Sequence, residues 1–382
     1  MEKVCILGGG ASALFCACHI KNKDVTIFER ADKIGKKILA TGNGRCNLTN
    51  KYMNKNSYNQ NLDNYFKRFN VDNTLKFFNS IGLEIYSDDE GRVYPILNTA
   101  TSVVSVLKNY IKNNKNIKIN TEKDVITVKM IKNKFKIEFL DNTFEIFDKV
   151  IVATGNYTDL KIYENMGIKC KPFIKSLCSL KTEKHKHLSG VRVDNVCVKC
   201  SDVDFCENGE VLFKDDGISG IVIFNLSSHL ARKKINNVKI SLDILPDVSY
   251  DKLIDILISR KNNLSNLLLE DYLTGFFHKQ INYEILKRVN LDLQKSVKNL
   301  NNNHLKNIAS IIKNFEFNVC GVFDNNQVCS GGIVLTELDE NLQSRKYKGL
   351  YFVGEVVDVD GVCGGYNLQW AWTSGHIVGE SV

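Results

Sequence analysis

A chain of 382 residues, 43% hydrophobic and 25% charged, has the composition of a globular protein with room for two or three domains. Its apolar runs are strand-length, which argues against a membrane-spanning helix of roughly 20 apolar residues. The stretch before the first glycines is too short for a signal peptide, so a cytoplasmic protein is expected.

The first elements are the most legible. Residues 4–7 form an apolar run, Gly8-Gly9-Gly10-Ala11-Ser12-Ala13 a glycine turn, residues 14–21 a helical stretch, and residues 25–28 a second apolar run ending in Glu29. Helical patterns follow at 61–69, 74–81 and 102–113, then strand signals at 117–119, 125–130, 135–140, 143–147 and 150–153. Pro172 and Pro246 bracket short alternating runs at 179–182, 196–199, 211–213, 222–225 and 238–243, which predict an inserted β-barrel or sandwich. Residues 251–315 turn helical, strand signals return at 317–323 and 350–353, and a last helix begins near Asn367. The division expected is a cofactor domain over 1–175, a β insert over 176–248, a helical subdomain over 249–316, and the rest of the cofactor domain over 317–382.

Charge and cysteines have plain readings. The net charge of +8 comes from lysines mixed with acids and asparagines, so compositional bias explains it better than a nucleic-acid partner. Cys5, Cys16 and Cys18 read as reduced core thiols of the first unit. Cys197, Cys200 and Cys206 resemble half a zinc site, but a strand points residues three apart to opposite faces and no matching second pair follows. No metal is expected.

Chemistry concentrates in four segments. Gly8 permits a tight turn after the strand, Gly10 lets backbone approach a pyrophosphate, and Ala13 keeps the helix close to the sheet. The helix N-terminus faces the phosphates. Glu29, 21 residues after Gly8, is placed to take both ribose hydroxyls. This turn alone fits either NAD or FAD. The loop 35–50, rich in glycine, amide and hydroxyl groups, suits a diphosphate, ribityl chain and flavin ring. Ala153-Thr154-Gly155 gives a further close approach, and Gly354-Glu355 with the turn 361–367 offers a helix N-terminus to the flavin edge.

With those motifs the chain resembles the BaiN-like family of NAD(P)/FAD-dependent oxidoreductases, also called aminoacetone-oxidase-family FAD-binding enzymes. The resemblance spans nearly the whole chain. It is carried by Gly8–Ala13 with Glu29, by residues 36–50 with Gly44-Arg45-Cys46-Asn47, and by Gly91-Arg92-Val93-Tyr94-Pro95. Gly217-Ile218-Ser219-Gly220, Ser330-Gly331-Gly332 and the run from Gly354 to Trp372 complete it. It implies an α/β fold: a glutathione-reductase-type, Rossmann-like FAD domain with an inserted β-barrel and a helical subdomain. It also implies FAD contacts at Gly8, Gly10, Ala13, Glu29, Arg30, Lys37, Gly44, Arg45, Asn47, Val125, Thr154, Gly155, Glu355, Gly365, Asn367 and Leu368.

The chain departs from that family after Gly155, where a longer loop is usual and residues 156–160 instead lead straight into 162–166. This shortening is expected to reshape the substrate side. Phe213-Lys214-Asp215-Asp216-Gly217 and Ile221 also differ from the family pattern. No second glycine fingerprint appears, so NAD(P)H is expected only as a transient donor. The leading expectation is hydride transfer through flavin N5 to a small organic acceptor, such as an activated C=C bond. The alternatives are an amine oxidase using dioxygen and a flavoprotein that binds or carries electrons without a small substrate. Arg45, Tyr94 and Tyr366 are the candidate polarising or acid groups, with cofactor holding or packing as their competing roles, and Asn367 shares that ambiguity. Cys46, His376, Trp370 and Trp372 are expected to pack.

Overall fold

The computed structural model describes residues 1–324 and 328–382, which divide into two compact units, residues 1–175 with 328–382 and residues 176–324. In the first unit, β1 (Lys3–Leu7) lies at the centre of a five-stranded parallel sheet. On one side it pairs with β2 (Asp24–Phe28), which is followed by Ile117–Asn120; on the other it pairs with Lys149–Val152, which is followed by Leu350–Phe352. All four residues from Val4 to Leu7 are buried, as a central parallel strand covered on both faces requires. The unit also holds a separate antiparallel meander of Val125–Ile131, Lys134–Phe139 and Phe144–Phe147, and a small sheet of Thr49–Asn50, Arg92–Pro95 and Ile85–Ser87.

Helix α1 (Ala11–His19) is short and small-sided, with Ala13, Cys16 and Ala17 buried. The C-terminal helix, Tyr366–Ser381, lies against it at close range. A Cβ added to Gly375 would sit 2.8 Å from Ser12 O, and one added to Gly379 would sit 2.8 Å from Cys16 O. Glycine at both positions therefore lets the two backbones approach. The early thiols serve this packing: burial pushes the Cys16 thiol well above its ordinary range.

The same helix fixes the loop before the small sheet through one buried amide. Gln369 Oε1 accepts from Thr49 Oγ1 at 2.7 Å, while its Nε2 donates to Thr74 Oγ1 at 2.9 Å and Thr373 Oγ1 at 3.0 Å. Trp372 Nε1 donates to Leu48 O at 2.9 Å, and Trp370 Nε1 to Gly354 O at 3.1 Å. Both tryptophans are buried packing residues that also satisfy carbonyls.

The second unit is a closed six-stranded barrel with helices. Its order is Leu180–Thr182, Gly217–Ser219, Phe205–Lys214, Arg192–Cys200, Val238–Asp243 and Phe315–Val322. Two expectations change here. Residues 222–225 are not a strand but lie in the helix Ile221–Lys233, whose Val222, Ile223, Leu226 and Leu230 make one buried face. The barrel is closed by Phe315–Val322, with Phe315, Phe317 and Val319 alternating inward, so the strand signal at 317–323 belongs to this unit and not to the rest of the cofactor domain. The helices Tyr250–Asn263, Lys279–Arg288 and Asn302–Lys313 share one buried cluster with the barrel instead of forming a core of their own. Cys197 and Cys200 lie in one strand; Cys197 faces Cys206 with sulfurs 3.3 Å apart. Among the described residues no helix is long and apolar enough to cross a membrane.

Two consequences can be measured. Replacing Gln369 by Ala leaves the buried Thr49 hydroxyl without its acceptor, while Thr74 and Thr373 keep donating to Asn70 O and Phe69 O, and is expected to cost about 1–3 kcal/mol, read as a lower melting temperature. The second concerns His376, which stacks on Phe69 at 4.2 Å and meets His19 edge-on at 4.6 Å. Burial, with His19 adding to it, holds the His376 imidazole down to about 4. Below an unfolded value of about 6.5 the unfolded chain takes a proton that the folded chain refuses until about pH 4. Stability should therefore fall with pH across that window and ignore this group above it. Thermal melts of His376→Phe over the same range should show a shallower fall than wild type.

Candidate functional site

The carboxyl ends of β1, β2 and the Lys149–Val152 strand open onto one cavity of about 780 Å³ within the first unit. The strand order divides at β1, with β2 and Ile117–Asn120 laid down on one side and Lys149–Val152 and Leu350–Phe352 on the other, which is where an open parallel sheet forms a ligand crevice. The glycine turn forms its floor. Gly8 has φ +105, and a Cβ there would sit 2.5 Å from Ala153 O, so only glycine fits. Gly10 is different: a Cβ there would meet no protein atom within 4 Å, and its φ of −84 is open to any residue. Its missing side chain leaves space in the cavity, beside the N-terminus of α1.

Glu29 is held for a purpose that its neighbours define. Gly9 N–H donates to Glu29 Oε2 at 2.6 Å and Ala31 N–H donates to Oε1 at 2.8 Å. Each oxygen keeps lone-pair capacity, and the carboxylate is locked beside the glycine turn. Across the cavity Lys37 ion-pairs with Glu355 and donates to Asn156 Oδ1 at 3.2 Å. Glu355 Oε1 in turn accepts from Cys329 N–H at 2.8 Å. Thr154 Oγ1, in the cavity lining, is a buried hydroxyl with no partner among the described residues. A cavity of this volume with a fixed ribose-type acceptor, a helix N-terminus, a cation and an unpaired hydroxyl fits a dinucleotide.

Eleven of the sixteen expected cofactor residues line this cavity: Gly8, Gly10, Glu29, Arg30, Lys37, Val125, Thr154, Gly155, Glu355, Asn367 and Leu368. Ala13 is buried in α1 and acts through packing. Gly44, Arg45, Asn47 and Gly365 lie outside the lining, in a neighbouring layer. There the turn 42–46 runs through left-handed backbone at Gly42, Asn43, Gly44 and Cys46. Asn47, with its amide turned to suit both partners, donates to Thr49 O at 3.0 Å and accepts from Gly365 N–H at 3.3 Å. Gly365 itself packs on Thr49, where a Cβ would lie 2.5 Å from the carbonyl carbon. Asn367 ties the 361–367 turn shut: its Nδ2 donates to Gly361 O at 2.9 Å and its Oδ1 accepts from Gly361 N–H at 3.0 Å.

The three acid candidates also sit outside the cavity lining. The Arg45 guanidinium lies 4.6 Å over the Tyr94 ring. Burial, first among its causes, pushes the Tyr94 phenol up. Tyr366 is buried and its hydroxyl accepts from Asn54 N–H at 3.5 Å. Cys46 is fully buried, its thiol pushed up to about 12, which keeps it protonated and unreactive.

Sequence reasoning missed several lining residues. Tyr157, Thr158 and Asp159 from the shortened loop after Gly155, with Ile162 and Tyr163 from the helix Lys161–Glu164 that follows, line the same cavity as Glu29 and Arg30. The shortened loop thus borders this cavity; Tyr163 turns into the core, edge-on to Phe352 at 5.2 Å. Their signal in the sequence was the departure itself. Asp358 and Asp360 were seen only as motif letters. Both are buried, Asp358 Oδ2 lying 2.7 Å from Lys171 Nζ and Asp360 Oδ2 accepting from Ser330 Oγ at 3.0 Å.

Comparison with known proteins agrees with this geometry. The family model described as HI0933-like protein Rossmann domain matches residues 2–381. A Clostridium scindens protein named 3-dehydro-bile acid delta(4,6)-reductase is 32% identical over 100% of this chain and 99% of its own. An Escherichia coli protein named ribosomal RNA dihydrouridine synthase is 27% identical, over 97% of this chain and 95% of its own. The solved structure of 3-ketosteroid delta1-dehydrogenase from Sterolibacterium denitrificans shares the fold, with a TM-score of 0.50 and 10% identity over 100% of this chain and 99% of that one. The chain belongs to the HI0933-like Rossmann family, and it is an oxidoreductase built on a flavoprotein-type dinucleotide-binding fold.

Proposed function

We propose that this protein is an FAD-dependent reductase that saturates an activated C=C bond, with NAD(P)H as a transient hydride donor. The observation that carries the cofactor is Glu29 locked on the Gly8–Gly10 turn at the mouth of a cavity large enough for a dinucleotide. The acceptor class is supported by the two relatives' names. One denotes reduction at delta(4,6) double bonds and the other formation of dihydrouridine, a pyrimidine saturated beside its carbonyl. The chemistry FAD supplies when bound is two-electron hydride exchange at its N5.

The chain's own residues do the holding. The N-terminus of α1 and the Gly8–Gly10 turn would carry the pyrophosphate, and Glu29 the adenosine ribose. Lys37, Thr154 and Glu355 would hold the middle of the molecule from both sides of the cleft. Asn367 keeps the turn 361–367 closed, so the N-terminus of the last helix stays fixed as a site for negative charge at the flavin edge. A base within RNA is the second reading of the acceptor, favoured by the Escherichia coli relative.

Two measurements test this. Purified protein should take up FAD stoichiometrically with a bound-flavin absorbance spectrum. Glu29→Gln, which weakens charge-assisted bonds to the ribose, should raise the FAD Kd about tenfold or more. In anaerobic stopped flow, NADH or NADPH should bleach the bound flavin, and an α,β-unsaturated ketone or a uridine-containing RNA should restore its colour. Protein that binds no flavin rules out the cofactor. Reduced flavin that is reoxidised only by dioxygen rules out the reductase in favour of an oxidase.

A further inference from the structure

Arg30 and Tyr157 come from opposite sides of the glycine turn. Arg30 stands two residues beyond the end of β2, and Tyr157 five residues beyond the Lys149–Val152 strand. Those two strands flank β1, so with two inter-strand spacings their ends lie roughly 10 Å apart. The side chains nevertheless meet, the Arg30 guanidinium carbon lying 4.3 Å from the Tyr157 ring centroid. Their contact therefore passes across the carboxyl end of β1, where the glycine turn begins.

Tyr157 is anchored a second time. Lys37 Nζ lies 5.5 Å from the same ring and donates to Asn156 Oδ1, on the residue before it. A tyrosine 45% exposed and held by cations from two other segments is not buried for packing. It lies in the cavity lining with Glu29, Arg30 and Lys37, and it belongs to the loop whose shortening sets this chain apart from its family's usual pattern.

We propose that Tyr157, gripped by Arg30, is a strap across the cleft that retains the adenosine–pyrophosphate half of the bound dinucleotide. This rests on the FAD reading above. Anything seated on the Gly8–Gly10 turn lies between the strap and the sheet, so it leaves only when the cation–π contact opens. The role asks for the ring and not for the phenol hydroxyl.

FAD affinity and dissociation rate, followed by flavin fluorescence, test the strap in wild type, Tyr157→Ala, Tyr157→Phe, Arg30→Met and the double variant Y157A/R30M, with ADP as a competing probe. Tyr157→Ala should raise the Kd for FAD about tenfold, mainly through faster dissociation, and weaken ADP by the same factor. Tyr157→Phe should stay within about twofold of wild type, and the double variant should be no weaker than the worse single one. FAD binding by wild type that Tyr157→Ala leaves unchanged overturns the strap alone. So does a loss in Tyr157→Phe equal to that in Tyr157→Ala, or an ADP affinity that does not move. Failure of wild type to bind FAD overturns the flavin reading, and the strap with it.

Discussion

The structure depends on how closely the chain turns at Gly8. The carbonyl of Ala153 occupies the space that any side chain at position 8 would need, and the backbone there takes a φ of +105. Because the turn is this tight, α1 starts directly above the sheet edge, and its N-terminal amides point into the crevice between the two strands that flank β1. The same turn presents Gly9 N–H to Glu29, so the acid at the end of β2 is oriented by the glycine segment that it serves. A single steric constraint thus fixes the helix, the carboxylate and the open space at Gly10.

The C-terminal helix repeats this logic on the other side of α1. Gly375 and Gly379 allow backbone contact with Ser12 and Cys16, which places the helix start next to the loop 42–50. Gln369 and Trp372 then convert proximity into position by bonding Thr49, Thr74 and Leu48 O. A buried amide with every partner satisfied specifies one arrangement, because any shift strands several polar atoms at once. The two ends of the chain therefore meet through packing and hydrogen bonds that exist before any ligand is considered.

These devices differ in how clearly sequence announces them. The glycine turn, the acid 21 residues later and the final glycine-rich motif were legible because their chemistry is local and each residue type has few reasons to be there. The barrel was legible as alternation but not as closure. Residues 222–225 have strand-like composition, yet Gly220 ends the preceding strand and apolar residues continuing to Leu230 at helical spacing make a helix. The strand Phe315–Val322 reads like the start of a new domain and is instead the barrel's sixth strand, a fact that only long-range pairing with Val238–Asp243 decides. Tyr157 had no motif at all. Its importance lies in meeting Arg30 across two strand spacings, a relation that no window of sequence contains.

Relatives matched over nearly the whole chain carry names that denote a bile acid reductase and a ribosomal RNA modifying enzyme, substrates of very different size and charge. What those two reactions share is electronic: a double bond polarised by a carbonyl accepts hydride at one carbon and a proton at the other. A cofactor cleft common to both would serve either, provided the cleft fixes the hydride source and leaves the acceptor to be chosen elsewhere. The placement of residues agrees with such a division. The dinucleotide cavity is built from groups with defined partners, Glu29 on amides, Lys37 on Glu355 and Asn156, whereas Arg45, Tyr94 and Tyr366 stand in the adjoining layer outside it. In that layer an arginine stacked on a tyrosine supplies a fixed cation beside a phenol that burial keeps protonated.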